Sequence, residues 1–421
     1  MPFGLQQPDG SVRSISVLEA VIRQTGVYAS TRQGRLSVFW GDQVFLPTAS
    51  FMQTPTHHAD ILCTLLGETA PTAEEWSEQG LEKYGVIAVV ESASGTVDSS
   101  KPLEAAQVEK VSHETATQML GQLGNIRQVG PSLGSFSVSS PFLQALCTEY
   151  EKELTKKTAK LDTDPHFWMP LTLPESSYIS LMKQKGTDET ESKEHYHRMS
   201  IMKASFTENI MSKDNMGLFG AVDVGKGACW WDYGLMKLYS ANTLLLLEKD
   251  TAQSDLLRQF LGLEINGTRV LSSNVGTATT VDDVAYLFSS KVGAGSIKGS
   301  LLANVASASV EADGAIIVNC ASSKSIVAGK GAILYNVIDE SGEGIVAAAG
   351  EVIVGVTDKS GASFLLKSRI DIDGGKAWKE CLEMNTSSFE DVHKKNFNTN
   401  IGEVARKRQA KFDAISDSIS I

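Results

Sequence analysis

The chain has 421 residues, 42% of them hydrophobic and 21% charged, with a formal net charge of -12. That length allows a large core and roughly two to three domains, while the negative balance argues against general attraction to nucleic acid or anionic lipid and makes any anion site a local one. Five scattered cysteines without a CxxC pair indicate neither a disulfide framework nor a zinc site, and with no run of about 18 apolar residues and no basic-then-apolar N-terminus the sequence predicts no membrane span, no signal peptide and a cytoplasmic location.

The first predicted element is an amphipathic helix over Ser16–Gly26, "SVLEAVIRQTG", with Val17, Leu18, Val21 and Ile22 on one face and a glycine stop. A strand follows at Arg35–Trp40, "RLSVFW", and another at Tyr84–Glu91, "YGVIAVVE", both rich in β-branched residues and flanked by turn residues. Strands separated by helical segments predict an α/β layer architecture with a mainly parallel sheet. The first of these strands runs into Gly41-Asp42. Ligands of open α/β sheets sit at the carboxyl ends of strands, so Asp42 is a candidate ligand-binding acid, against the plainer reading of an Asx-turn or helix-capping aspartate. "TDETESKE", Thr187–Glu194, is a solvated loop or helix face within the first domain. At Gly225–Asn242, "GKGACWWDYGLMKLYSAN", apolar and aromatic residues again lead into an acid, Asp232, and then a glycine. Two carboxylates at strand ends suit Mg²⁺, which takes one or two protein carboxylates together with phosphate oxygens and water.

From about Leu271 to Gly355 the texture changes to Gly, Ala, Ser and Val. "GSLLAN" at Gly299, "GAIIVN" at Gly314 and "GAILYN" at Gly331 recur at intervals of fifteen and seventeen residues, with a weaker copy, "AYLFSS", at Ala285. A repeat of this length with aliphatic pairs and no helical period predicts the coils of a β-solenoid; a run of ordinary hairpins is the alternative. The residues beyond Asn385 read as a helical tail that caps or leans on the solenoid. The expected organisation is an α/β domain over residues 1–265, a β-helix-like domain over 266–385 and a helical tail over 386–421. The histidine pairs His57-His58 and His195/His197 lack a third ligand at a recognisable spacing for a metal, and no GxSxG supports serine catalysis.

In this order the segments "WGDQVF", "EKYGVIAVV", "VEKV" (Val108–Val111), "VGPSLGSFSVSSPFLQAL" (from Val129) and "WWDYGLMKLYSAN" resemble the sugar-1-phosphate nucleotidyltransferases, many of which carry a left-handed parallel β-helix after the catalytic domain. The resemblance implies transfer of a nucleotidyl group from a nucleoside triphosphate to a hexose 1-phosphate with release of pyrophosphate. It implies Asp42 and Asp232 as Mg²⁺ ligands, Lys110 on a phosphate, Glu109 on a sugar hydroxyl, Gly85 and Gly134 as points of close backbone approach to the sugar, and Lys226 as a further phosphate contact. One departure stands out: the glycine-rich, basic loop with which this family cradles the triphosphate is absent from the first 40 residues, so the expected α/β domain is incomplete at its N-terminal end. The alternative is therefore a catalytically impaired relative, a sugar-phosphate-binding or regulatory subunit that forms a homo-oligomer or associates with an active paralogue through its β-helix.

Overall fold

The computed structural model describes residues 4–7, 9, 11–14, 32–46, 54–65, 70–92, 102–156, 164–225, 229–372 and 374–421. The helix expected at Ser16–Gly26 lies outside them. Two compact units are formed, one of Val21–Gly41 and Phe45–Trp230, the other of Met1–Ala20, Asp42–Val44 and Trp231–Ile421. The expected boundary at 265/266 falls inside the second of these units. Among the described residues no helix is long and apolar enough to cross a membrane.

The chain begins with a small antiparallel hairpin, β1 (Gly4–Gln6) against β2 (Val12–Ser14). The strands β3 (Arg35–Val38), β4 (Gln43–Leu46), β5 (His57–Cys63), β6 (Gly85–Ser92), β7 (Ala105–Glu109), β8 (Gly124–Ser139), β9 (Gly217–Asp223) and β10 (Cys229–Asp232) follow. Six of them form the sheet of the first unit, in the order β7-β6-β8-β5-β9 with β3 also on β8, while β4 and β10 make a separate pair. The six-stranded sheet is mixed rather than mainly parallel: β5 and β9 run parallel, and the β6·β7, β6·β8, β5·β8 and β3·β8 pairings are antiparallel. At its centre is β8, which spans 16 residues and pairs antiparallel with β6 along its first half and with both β5 and β3 along its second.

Helices cover this sheet. They are α1 (Ala73–Glu78), α2 (His113–Gly121), α3 (Ser140–Glu149), α4 (Glu151–Lys156), α5 (Met169–Thr172), α6 (Glu175–Gln184) and α7 (Glu189–Asn209). The polar stretch "TDETESKE" starts α7, whose free N–H groups at Thr190 and Glu191 donate to the Asp188 carboxylate at 2.8 and 3.2 Å. Met199, Met202 and Phe206 of α7 meet Phe142 and Leu146 of α3 in the core beneath β5 and β8.

In the second unit, α8 (Met236–Leu244) and α9 (Ala252–Phe260) precede the solenoid. The buried Arg258 donates to the carbonyls of Leu246 and Glu248 and so closes the helical block on itself, while Arg269 donates to those of Leu247 and Val284, at 3.0 and 2.8 Å, and ties the block to the first coil. The strands are β11 (Val270–Leu271), β12 (Asn274–Val281), β13 (Tyr286–Phe288), β14 (Lys291–Lys298), β15 (Leu301–Asp313), β16 (Ile316–Ala328), β17 (Ile333–Tyr335), β18 (Ile345–Ala347), β19 (Glu351–Thr357) and β20 (Ser363–Arg369). Together they make a β-solenoid of about 5 turns over residues 270–354, closed by the antiparallel β19–β20 hairpin.

The sequence repeat is the coil. Leu287, Leu302, Ile317, Leu334 and Ile353 stack in parallel register and are almost wholly buried, so each coil completes its core with its neighbours. The closing asparagines Asn304, Asn319 and Asn336 turn the corners with φ of 54, 54 and 60°. Their amides form a ladder, Asn304 Nδ2 donating to Asn319 Oδ1 at 3.0 Å and Asn319 Nδ2 to Asn336 Oδ1 at 3.1 Å. At another corner Ala321 stands beside Ile338 and Ile326 beside Ile345, so the later coil takes the longer path. There Asp339 accepts from the Ser322 and Ser341 hydroxyls at 2.7 and 2.8 Å and from the Gly342 and Gly344 N–H groups, both at 2.9 Å.

After the hairpin come α10 (Gly374–Lys379), α11 (Phe389–Asn396) and α12 (Ile401–Ser418). The tail leans on one side of the solenoid: Phe412, Ile415 and Ile419 cover the stripe of Ala306, Ala321 and Ile338. Lys291 Nζ donates to the Ser416 carbonyl at 2.9 Å and Arg408 to that of Asn319, so α12 is fixed to more than one coil.

Candidate functional site

The two strand-end aspartates converge, and both belong to the second unit. Asp42 lies in the turn just past β3, and Asp232 is the last residue of β10. The Tyr233 N–H donates to the Asp42 carbonyl at 2.8 Å, holding the two segments side by side. The Asn242 side chain on α8 then donates to the Asp232 carbonyl at 2.7 Å, which fixes the strand end to the following helix. Between the carboxylates lies Gly234. A Cβ there would stand 3.0 Å from an oxygen of Asp232 and 3.0 Å from one of Asp42, so the two acids flank one small space that only glycine leaves open. Burial raises the Asp232 carboxyl above its usual pKa and the Asp42 charge pushes the same way, opposed by the Gly234 N–H, which donates to Asp232 Oδ1 at 2.6 Å.

Two carboxylates flanking one small space, one of them raised chiefly by burial, are a donor set that fits a hard divalent cation such as Mg²⁺. Among the described residues there is no cluster of three or more His, Cys, Asp or Glu side chains placed to hold a metal. The remaining ligands of such an ion would be substrate oxygens and water, as is common for Mg²⁺.

A second cluster lies within the first unit, at the ends of β6 and β7. Gly85 pairs with Glu109. Glu109 is buried, with Lys110 Nζ 2.9 Å from Oε1 and Lys185 Nζ 3.0 Å from Oε2. Burial alone would raise its pKa, but the hydrogen bonds and charges of the two lysines outweigh that and hold it below the usual range. Lys110 sits in the left-handed region at φ 53°, its N–H donating to the Tyr84 carbonyl at 3.0 Å. A Cβ on Gly85 would lie 3.0 Å from the Gln107 amide nitrogen, 3.2 Å from Ser132 Cβ and 3.3 Å from Asp164 Oδ2, so backbone, amide, hydroxyl and acid crowd one point. Burial, reinforced by Glu109, pushes the Asp164 carboxyl up to about 6.

Gly134 has φ 74°, and a Cβ there would meet the indole nitrogen of Trp40 at 2.5 Å. Its open face is thus taken by an aromatic ring. Lys226 lies outside the described residues. The histidines serve packing: His195 is held between the hydroxyls of Tyr150 and Tyr178, at 2.9 and 2.7 Å, and burial together with His166 pushes its pKa down to about 4. His58 meets Ser139 Oγ at 2.9 Å and Asp214 Oδ2 at 3.2 Å.

Sequence reasoning singled out Asp42, Asp232, Glu109, Lys110 and Gly85 from local patterns. It passed over Lys185 and Asp164, which reach the Gly85–Glu109 corner from distant parts of the chain, and Gln107, which stands two residues before Glu109 in β7 and carries no local motif. Gly234 and Trp40 did have a local signal, since each lies two residues from one of the aspartates. No protein-family model matches the chain, and no curated protein matches it.

Proposed function

We propose that the chain is a sugar-1-phosphate nucleotidyltransferase: a phosphate oxygen of a hexose 1-phosphate attacks the α-phosphate of a nucleoside triphosphate, forming the nucleotide sugar and releasing pyrophosphate. The observation that carries the reading is the convergence of Asp42 and Asp232 on the space at Gly234. The attacking phosphate is already anionic, so the reaction needs no strong base; it needs in-line positioning and neutralisation of crowded negative charge. Asp42 and Asp232 are the residues that would hold Mg²⁺, which when bound supplies that neutralisation across the phosphates. Glu109, ionised by its lysine partners, is a ready acceptor for a sugar hydroxyl. Lys110, paired with Glu109 at 2.9 Å and with its side chain 60% exposed, is the point charge that would meet a phosphate beside that carboxylate.

The test is pyrophosphate release by the full chain with Mg²⁺, each of the four common nucleoside triphosphates and a panel of hexose 1-phosphates. Release specific to one pair of substrates is expected, with Asp42→Ala and Asp232→Ala each lowering the rate on the order of 100-fold or more. Silence across the panel from folded protein overturns the reading. A second reading, sugar-phosphate binding without transfer, is favoured by the two lysines that already occupy both oxygens of Glu109. It predicts hexose 1-phosphate binding with no pyrophosphate release.

A further inference from the structure

The quoted motif around Asp42 contains a residue that neither the core nor the proposed chemistry uses. Trp40 is 40% exposed, while its neighbour Phe39 packs into the small cluster of Phe45, Leu62, Leu133 and Val224. A lone exposed tryptophan is unremarkable in itself; its seat is the informative part. In β8, Ser132 pairs with Cys63 and Phe136 with Ile61, so Leu133, Gly134 and Ser135 stand opposite the single residue Leu62. This is a β-bulge, the device by which a strand re-aims its surface beside a functional site. At its apex Gly134 takes a left-handed conformation and offers bare backbone to the pyrrole edge of Trp40, whose Nε1 and Cδ1 lie 2.5 and 2.9 Å from where a Cβ would be. Any side chain at 134 would unseat the indole.

The seat is coupled to the Glu109 corner. The Gly134 N–H donates to Ser132 Oγ at 3.1 Å, and Ser132 Cβ lies 3.2 Å from the Cβ position of Gly85, the residue paired with Glu109. Gly134, Ser132 and Gly85 thus form a continuous relay from a half-exposed aromatic ring to the strand pair that carries a buried carboxylate flanked by lysines. These are complementary halves of a carbohydrate site. A pyranose presents an apolar C–H face that lies on an aromatic ring, and hydroxyls at its edge that donate to a carboxylate.

We infer that Trp40, seated on Gly134, is the platform for the sugar ring of the ligand and a determinant of which sugar is accepted. The inference rests on the proposed sugar-phosphate reading. It assigns Gly134 a role different from direct approach to the sugar: the glycine makes room for the tryptophan, and the tryptophan meets the sugar.

The test is isothermal titration of the full chain, without nucleotide, with glucose 1-phosphate, mannose 1-phosphate, fucose 1-phosphate and N-acetylglucosamine 1-phosphate, with inorganic phosphate and a nucleoside triphosphate as separate arms. Wild type, Trp40→Ala, Trp40→Phe and Gly134→Ala are compared. The expected result is roughly tenfold weaker binding of the preferred hexose 1-phosphate by Trp40→Ala, an intermediate value for Trp40→Phe and unchanged binding of inorganic phosphate. Gly134→Ala should follow Trp40→Ala, and because Trp40 lies outside the core its variants remain folded even if Gly134→Ala does not. Equal hexose 1-phosphate binding by wild type and Trp40→Ala overturns the platform while leaving the proposed function standing. Equal loss of phosphate affinity, or loss confined to the nucleotide arm, overturns it too, by making Trp40 structural or a base-stacking residue. No binding of any sugar phosphate by wild type overturns both the platform and the reading beneath it.

Discussion

Asp164 shows how a single buried acid ties the Gly85–Glu109 corner to the stability of the fold. Its carboxyl is raised from the usual 3.8 to about 6, first by burial and then by Glu109, with Gln107, Lys110 and Lys185 pulling the other way. Between about pH 4 and pH 6 the folded chain keeps this proton after the unfolded chain has lost it, so this group's contribution falls as pH rises through that window and stays lower above it. Asp164→Asn cannot ionise, and we expect it to remove that decline and to gain up to roughly 2 kcal/mol over wild type at pH 7 relative to pH 4. Urea midpoints of both proteins at intervals across that range measure it; parallel curves would show that Asp164 titrates normally. Residues such as this were invisible in the sequence for a physical reason. The acids Asp42 and Asp232 announce themselves because each ends an apolar run, whereas Asp164 and Lys185 acquire their character only from groups that folding brings to them. Glu109 was legible as a charge but not as the centre of a two-lysine clamp, because Lys185 is 76 residues away.

Among the elements, the solenoid was the most readable and the sheet the least. A coil repeats its contacts with its neighbours, so "GSLLAN", "GAIIVN" and "GAILYN" carry the register in their spacing, and even the weaker "AYLFSS" falls in line, with Tyr286 beside Leu301. What the repeat did not disclose is why it closes on asparagine. Each asparagine holds a left-handed corner and joins an amide ladder, two tasks that few residues combine. Asn319→Ala should lose both and destabilise the solenoid by about 3 kcal/mol, while Asn319→Gly keeps the corner, loses the ladder and should cost about half as much. Denaturant melts of the two variants check the order; alanine no worse than glycine would show that the corner carries no strain. Strand direction in the other unit was illegible because alternation of apolar residues is the same in parallel and antiparallel strands. It shows only in the pairing, where β3, β5 and β6 all run antiparallel to β8.

For the whole molecule, the helices α8 and α9 belong to the same compact unit as the solenoid and are joined to its first coil by Arg269, which reaches the carbonyls of Leu247 and Val284, a connection that no composition change marks. The same unit is covered along one side of its stack by α12. Phe412→Ala should loosen that helix from the alanine stripe at a cost of about 3 kcal/mol, with greater binding of a hydrophobic dye and earlier proteolysis within residues 400–421; unchanged protection would mean that the polar ties at Lys291 and Arg408 suffice. The corner gathered by Asp339 bears on how such a chain can change over generations. Two N–H groups and two hydroxyls close the longer path there before the chain rejoins the stack, so inherited insertions at that corner are absorbed outside the ladder. One residue added within 316–318 or 325–328 would instead turn the aliphatics of that run outward. Length variation is therefore expected at corners of that kind, and growth of the stack itself by duplication of an entire coil.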